Sequence, residues 1–400
     1  MWLSSSSVGR KMLMAFTGAA LLLFVTFHCL LNAIAICWPT TYNSVCMFLG
    51  ANWYALLASV ILAALIVIHI IYAVVLTMKN RKARGSQRYS VSKRPATVEW
   101  SSNNMLVLGI VILAFLVVHL IQFWAKMQLQ EIRGAEEMIP PAAGTLFIQK
   151  AFELPWTAIV YIIGFIALWF HLQHGFWSMF QSVGWDSTVW IPRLKKIGSW
   201  WVSIVILCFI TQAIVFTVKA HEGFYRTNPE LRDQYKSMLV PMYERDFGPA
   251  AVQNAQLFES TPFDQLSSQV KQSAAMIQSE DEAQADAQFE MQVASMPIDQ
   301  QPVAREQYAQ QKRIMKAIVK MAAFFRYLET GDAEAKEATI QAMPPRVRPQ
   351  QPQQQPQARP EAQPQQAQQP QQAQQAQPDQ PAQAKPEAAD QAKGQKETQK

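Results

Sequence analysis

Five stretches of this 400-residue chain, approximately 12 to 37, 54 to 78, 103 to 127, 155 to 179 and 199 to 220, are almost wholly apolar. Each is long enough to cross a hydrocarbon core about 30 Å thick, which takes roughly 20 residues of helix. Such runs leave little choice of fold, because backbone N–H and C=O groups in hydrocarbon must be satisfied within the segment, as a helix does. The expectation is an all-α membrane protein. A five-transmembrane-helix bundle occupies residues 1–222, followed by a long C-terminal extension that is polar and partly helical at 223–345 and a Gln/Pro/Ala-rich tail at 346–400. That tail cannot bury enough apolar surface to offset the entropy of ordering it, so disorder is expected. Within the extension, Ile314, Ile318, Met321, Phe324 and Phe325 recur at helical spacing, a face that could dock on the membrane domain, a partner or itself.

Charge sets the expected orientation. Arg10 and Lys11, the cluster from Lys79 to Arg94, and Arg193, Lys195 and Lys196 fall on one side, whereas the opposite connections are neutral (38–53) or acidic on balance (128–153). Basic connections are retained in the cytoplasm, so the N-terminus is expected inside, and everything after residue 221 outside, a bacterial inner membrane. Trp38, Trp53, Trp100, Trp124, Trp156, Trp200 and Trp201 fall near the ends of the runs, where an indole prefers the interface. A cleaved signal peptide, with Arg10 and Lys11 ahead of the apolar run and Ala33 and Ala35 at its end, is the weaker alternative, because the run exceeds the usual core of about 7 to 15 residues.

Four of the six histidines, His28, His69, His119 and His171, sit one apiece in the first four runs. With a rise of about 1.5 Å per residue and alternate helices antiparallel, His28 and His119 both lie roughly 24 Å from the inner ends, and His69 and His171 roughly 14 and 12 Å. Two levels emerge, each with two histidines from different helices. An ionisable side chain in hydrocarbon is costly and marks function, and scattered structural histidines would not match in depth. Two imidazoles from facing helices are what a haem iron takes, so two haem b groups are expected, the outer between His28 and His119 and the inner between His69 and His171. His174, three residues after His171, could in principle reach an iron instead. His221 reads as an interfacial residue, with contact to quinone or a haem propionate as the minor alternative.

The remaining chemistry is sparse. Cys29 and Cys208 read as small packing residues, while Cys37 and Cys46 flank the first outer connection, where an oxidising compartment permits a disulfide. There is no CxxC pair, GxGxxG or phosphate loop, so iron–sulfur and flavin chemistry belongs to partner subunits, and nothing points to nucleic acid.

The stretches SSSVGRKMLMAFTG and TFHCLLN in the first run, and FHLQHGFWSMFQSVGW in the fourth, together resemble the cytochrome b membrane anchor of succinate:quinone oxidoreductases, meaning succinate dehydrogenase or fumarate reductase. The resemblance is to the single-subunit type with five helices and two haems, and covers roughly residues 1–222. It implies the same ligand pairs as the depth count, and its pattern places the ligand four residues before Gly175, at His171. It implies electron transfer between an iron–sulfur subunit and membrane quinone, with menaquinone the expected type, while succinate chemistry sits on a flavoprotein partner. Complexes of this kind could also pair as dimers. Ser5, Ser6 and Arg10 resemble the polar segment adjoining the quinone site, and Lys11 and His174 are further candidates for quinone or propionate contact. Arg10, Lys11, Lys195 and Lys196 are placed to meet propionates, although ordinary positive-inside charge explains most of them. The chain departs from some di-haem relatives in one respect. Its first acidic residue is Glu99 and Trp169 stands two before His171, so the membrane carboxylates that serve quinol protons in those relatives are missing. Two alternatives stand beside this family: the cytochrome b anchor of a nitrate reductase or hydrogenase, which tends to place two ligands on one helix, and a histidine-relay transporter, which would show acidic partners or broken helices at mid-membrane.

Overall fold

A computed structural model describes residues 6–50, 52–84, 100–133, 138–242, 247, 251–278 and 282–332. Ser5, the basic connection at 85–99 and the tail at 346–400 lie outside the described residues. Among those described, every regular element is helical. In chain order the first nine are α1 (Ser7–Cys37), α2 (Pro39–Gly50), α3 (Trp53–Arg84), α4 (Trp100–Asn103), α5 (Met105–His119, continued by a π-helical turn at Leu120–Trp124), α6 (Gln128–Arg133), α7 (Gly144–Phe152), α8 (Pro155–Ser182) and α9 (Trp190–His221). Five of these, α1, α3, α5 with its π turn, α8 and α9, are long and apolar enough to cross a membrane.

Local chemistry explains the helix starts. The Ser6 hydroxyl accepts from the Gly9 N–H at 2.9 Å, satisfying one of the donors that a helix leaves open at its first turn. Pro155 opens α8 at a position where its missing N–H costs nothing. The last span begins earlier than its apolar run, at Trp190. Arg193, Lys195 and Lys196 therefore ride on its first turns instead of in a connection, and Trp200 and Trp201 lie well inside it. Long basic side chains can extend toward water while their backbone stays helical, which an apolarity count does not register. Likewise the neutral stretch at 38–53 is mostly helix α2.

α8 is the hub of the bundle, packing against α1, α5 and α9, while α1 also meets α3 and α9. Gly164 lets α5 come close: a Cβ there would lie 2.5 Å from Cγ of Phe115. By contrast, none of the apolar window of α3 is buried by the rest of the chain, although this helix carries His69.

The extension folds back on the face opposite the N-terminus. Its helices are α10 (Phe224–Thr227), α11 (Pro229–Met242), α12 (Ala251–Ser260), α13 (Phe263–Gln278), α14 (Glu282–Ala294) and α15 (Gln301–Thr330). Phe263, Leu266, Val270 and Ala274 make one face of α13, which meets Ala317, Met321, Phe324, Phe325 and Leu328 of α15. α10 packs on α7 and α15, and α11 on α2 and α13, so one apolar core runs from Cys29 and Ala35 through Leu146 and Phe216 to Tyr225, Tyr235 and Phe324. The described residues accordingly fall in a single compact unit. Full burial of each large side chain contributes roughly 2 kcal/mol, so this packing is a substantial anchor.

Buried polar groups fix its register. The Asn43 carbonyl accepts from both the N–H and the hydroxyl of Thr145, at 3.0 and 2.9 Å, while its amide donates to Gln234 at 3.0 Å. Tyr235 donates to the Tyr225 carbonyl at 2.9 Å and lies 2.7 Å from the Thr145 hydroxyl. Gln149 bridges Glu153, the Ala220 carbonyl and the Tyr225 N–H, and Arg226 pairs with Glu153 at 3.2 Å. Cys37 and Cys46 are both free thiols, and burial beside Tyr42 and Gly144 pushes the Cys46 thiol up to about 12.

Candidate functional site

The four intramembrane histidines meet as two pairs. The rings of His28 on α1 and His119 at the end of α5 are 5.8 Å apart, centre to centre, at 82°. Those of His69 on α3 and His171 on α8 are 6.2 Å apart at 58°. An imidazole nitrogen sits about 2 Å from a first-row metal and its ring centre about 1 Å beyond, so two axial imidazoles on one iron have centres roughly 6 Å apart. Both spacings agree with that value.

Hydrogen bonds set the tautomers. The Thr17 hydroxyl has one proton, and it points at the carbonyl of Leu13, 2.9 Å away, or of Met14, 3.1 Å away. With that proton on a carbonyl, its oxygen faces Nδ1 of His69, at 3.1 Å, as an acceptor. The same logic holds at the other level. Tyr161 donates its proton to Oε1 of Gln122 at 2.9 Å, so at 3.2 Å from Nδ1 of His119 its oxygen is the acceptor. In that arrangement Nδ1 of each ring carries the hydrogen and Nε2 keeps its lone pair, the form a metal-binding histidine takes when its other nitrogen is held by a second group. Asn32, one turn after His28, lies 3.4 Å from Nε2 of that ring. Nδ1 of His171 is buried with no hydrogen-bond partner.

The surroundings suit a planar apolar ligand. Phe24 stacks on His28 at 5.5 Å, Phe115 and Phe123 flank His119, and Phe209 approaches His28 at 6.1 Å. Gly18 lies beside His69, where a Cβ would come 3.6 Å from its Cε1, leaving little room for anything larger. The π turn starts directly after His119 and carries Gln122, whose amide reaches Thr157 at 3.3 Å; such turns recur at functional sites. Among the described residues no three or more of His, Cys, Asp and Glu converge on a point.

The other candidate residues are scattered. Ser6 caps α1, Arg10 is half-buried in its first turn and Lys11 is exposed. His174 meets the edge of Trp177 at 5.0 Å, and the ring that faces His69 is that of His171. His221 is exposed, with Nδ1 2.8 Å from the Thr217 carbonyl. Sequence reasoning overlooked Thr17, Asn32, Gln122 and Tyr161. Each is a polar side chain inside an apolar run, and that was the available signal, but which of them would face a histidine depends on helix rotation.

Compared with protein-family models, with characterised proteins and with solved structures, the chain finds no match.

Proposed function

We propose that this chain is a di-haem cytochrome b anchor that exchanges electrons between an iron–sulfur partner and membrane quinone, in a complex whose flavoprotein subunit oxidises succinate or reduces fumarate. The observation that supports it best is the pair of facing histidine couples, with the hydroxyls of Thr17 and Tyr161 against Nδ1 of His69 and His119. His28 with His119, and His69 with His171, would hold the two irons. When bound, each haem supplies one-electron exchange at a potential set by ligation, hydrogen bonding and burial. The protein's own work would be to hold each pair of imidazoles about 6 Å apart and to exclude water with Phe115, Phe123 and Phe209. The charge asymmetry supports a cytoplasmic N-terminus, with the folded extension on the outer face of a bacterial inner membrane. A protease added outside sealed cells should then remove a tag fused to the C-terminus.

Purified chain should bind two haems and give a low-spin reduced-minus-oxidised spectrum. His119→Ala and His171→Ala should each remove or render high-spin one haem and largely spare the other. Co-purification of flavin- and iron–sulfur-containing partners would identify the complex. A chain without haem, or a His171→Ala variant that keeps both haems low-spin while His174→Ala loses one, would overturn the ligand assignment.

A further inference from the structure

Two thiols meet inside the bundle, that of Cys29 on α1 and that of Cys208 on α9. One amide group touches both. Nε2 of Gln212 lies 3.3 Å from the Cys208 sulfur and 3.7 Å from the Cys29 sulfur, and donates to the Cys29 carbonyl at 2.9 Å. The two thiols are themselves close enough to hydrogen-bond. Gln212 and Cys29 are each only 3% exposed, whereas Cys208 is half-buried. One turn before Cys29, the Thr26 hydroxyl accepts Nε1–H of Trp201 at 3.1 Å, so α1 and α9 are already held in register around the sulfurs.

Packing accounts for two small side chains here, but not for the amide between them. Oε1 of Gln212 is buried with no hydrogen-bond partner. A buried acceptor left open is costly, and such an atom in a native protein calls for a use. Here the use must suit the middle of a membrane, where creating an ion is expensive. A pair of thiols and the disulfide they form are both uncharged, so they can interconvert at this depth.

We propose that Cys29 and Cys208 form a redox dithiol that reduces hydroperoxides carried on lipid chains, and that its oxidised form staples α1 to α9. The half-buried sulfur of Cys208 attacks the terminal peroxide oxygen. The O–O bond breaks, the thiol proton leaves with the other oxygen as an alcohol, and Cys208 becomes a sulfenic acid. Oε1 of Gln212 is the acceptor available to the new S–O–H. The Cys29 sulfur then attacks the Cys208 sulfur, the S–O bond breaks, and the Cys29 proton leaves with the hydroxyl as water. Two thiols and one hydroperoxide thus become one disulfide, one alcohol and one water. The staple lies beside the outer histidine pair, since Cys29 follows His28, and Phe209, next to Cys208, is 6.1 Å from the His28 ring.

The test uses the full chain in liposomes, reduced and then treated with cumene hydroperoxide, an apolar probe. Thiols are counted by alkylation in denaturant and mapped by mass spectrometry of the digest. Two of the four thiols should disappear, with one peptide joining Cys29 to Cys208. Cys29→Ser should halt at a Cys208 sulfenic acid, trapped by dimedone, and Cys208→Ser should leave Cys29 a thiol. Gln212→Leu, checked for monodisperse elution, should slow disulfide formation about tenfold, as loss of one hydrogen bond at the reacting sulfur does. Hydrogen peroxide, which stays in water, should act more slowly than the apolar probe. Four intact thiols, oxidation confined to Cys37 and Cys46, a dimedone adduct on Cys29 in place of Cys208, or an undiminished rate in Gln212→Leu would overturn the proposal. So would equal rates with the two peroxides. The count of thiols needs no haem, so any of these results leaves the electron-transfer reading where it stands.

Discussion

Tyr161→Phe isolates the part of the site that the sequence did not reveal. The substitution keeps the ring, which packs edge-on against Phe115, Phe152 and Phe165 at 5.0 to 6.0 Å, and removes only the oxygen that accepts from His119 and donates to Gln122. Losing that acceptor makes the imidazole a poorer electron donor, which disfavours the oxidised iron more than the reduced one. A hydrogen bond of this kind contributes about 0.5–1.5 kcal/mol. A tenfold change, about 1.4 kcal/mol, corresponds to 59 mV for one electron, so the midpoint of the outer haem should rise by roughly 20–60 mV. The assay is a potentiometric titration of the visible α-bands in purified protein. Thr17→Val should move the inner haem instead, and the double variant should show both shifts independently, because the two partners share no contact. Equal movement of both haems in the Tyr161 variant, or movement of neither, would refute the tautomer argument.

Asn43→Ala should loosen the extension from the bundle, because it strands the buried N–H of Thr145 and costs about 1–3 kcal/mol; faster limited proteolysis between α9 and α15 would register it. The extension should also weaken in acid. Burial alone would raise the pKa of Glu329, but the Lys271 ammonium at 2.6 Å and the Ser267 hydroxyl hold it below the usual carboxylate range. A depressed pKa contributes stability that is present above the unfolded value and lost as pH falls through the folded one, so the loss begins below about pH 4.5. The pair is partly exposed and worth about 0.5 kcal/mol after screening, and thermal melts of Lys271→Met should show a flatter acid limb than the parent. Truncation after Met343 should leave haem content and quinone reduction intact, since the Gln/Pro-rich composition beyond it cannot form a packed core; loss of either at normal membrane levels would show that the tail takes part in the complex.

Much of this molecule was legible in one dimension because hydrocarbon imposes a one-dimensional rule. Twenty apolar residues make a span whatever their neighbours are, and a histidine's depth follows from counting residues at a fixed rise. Five spans and the matching of His28 with His119 and His69 with His171 were therefore within reach. Rotation about each helix axis is not constrained in that way. Thr17 and Tyr161 became partners of histidines only when ridges packed, with Gly164 letting Phe115 and α5 close on α8. Where the extension docks was beyond one dimension for a related reason. Leu231, Tyr235 and Leu239 are spaced for one buried face of α11, but they are diluted by Gln, Glu and Lys, and average composition hides a face that long-range packing alone can cover. Sequence determined what must lie in the membrane and how deep each histidine sits, because solvent decides those matters residue by residue. Tertiary structure decided which hydroxyls meet His69 and His119 and what seals the far face, because both depend on contacts between residues far apart in the chain.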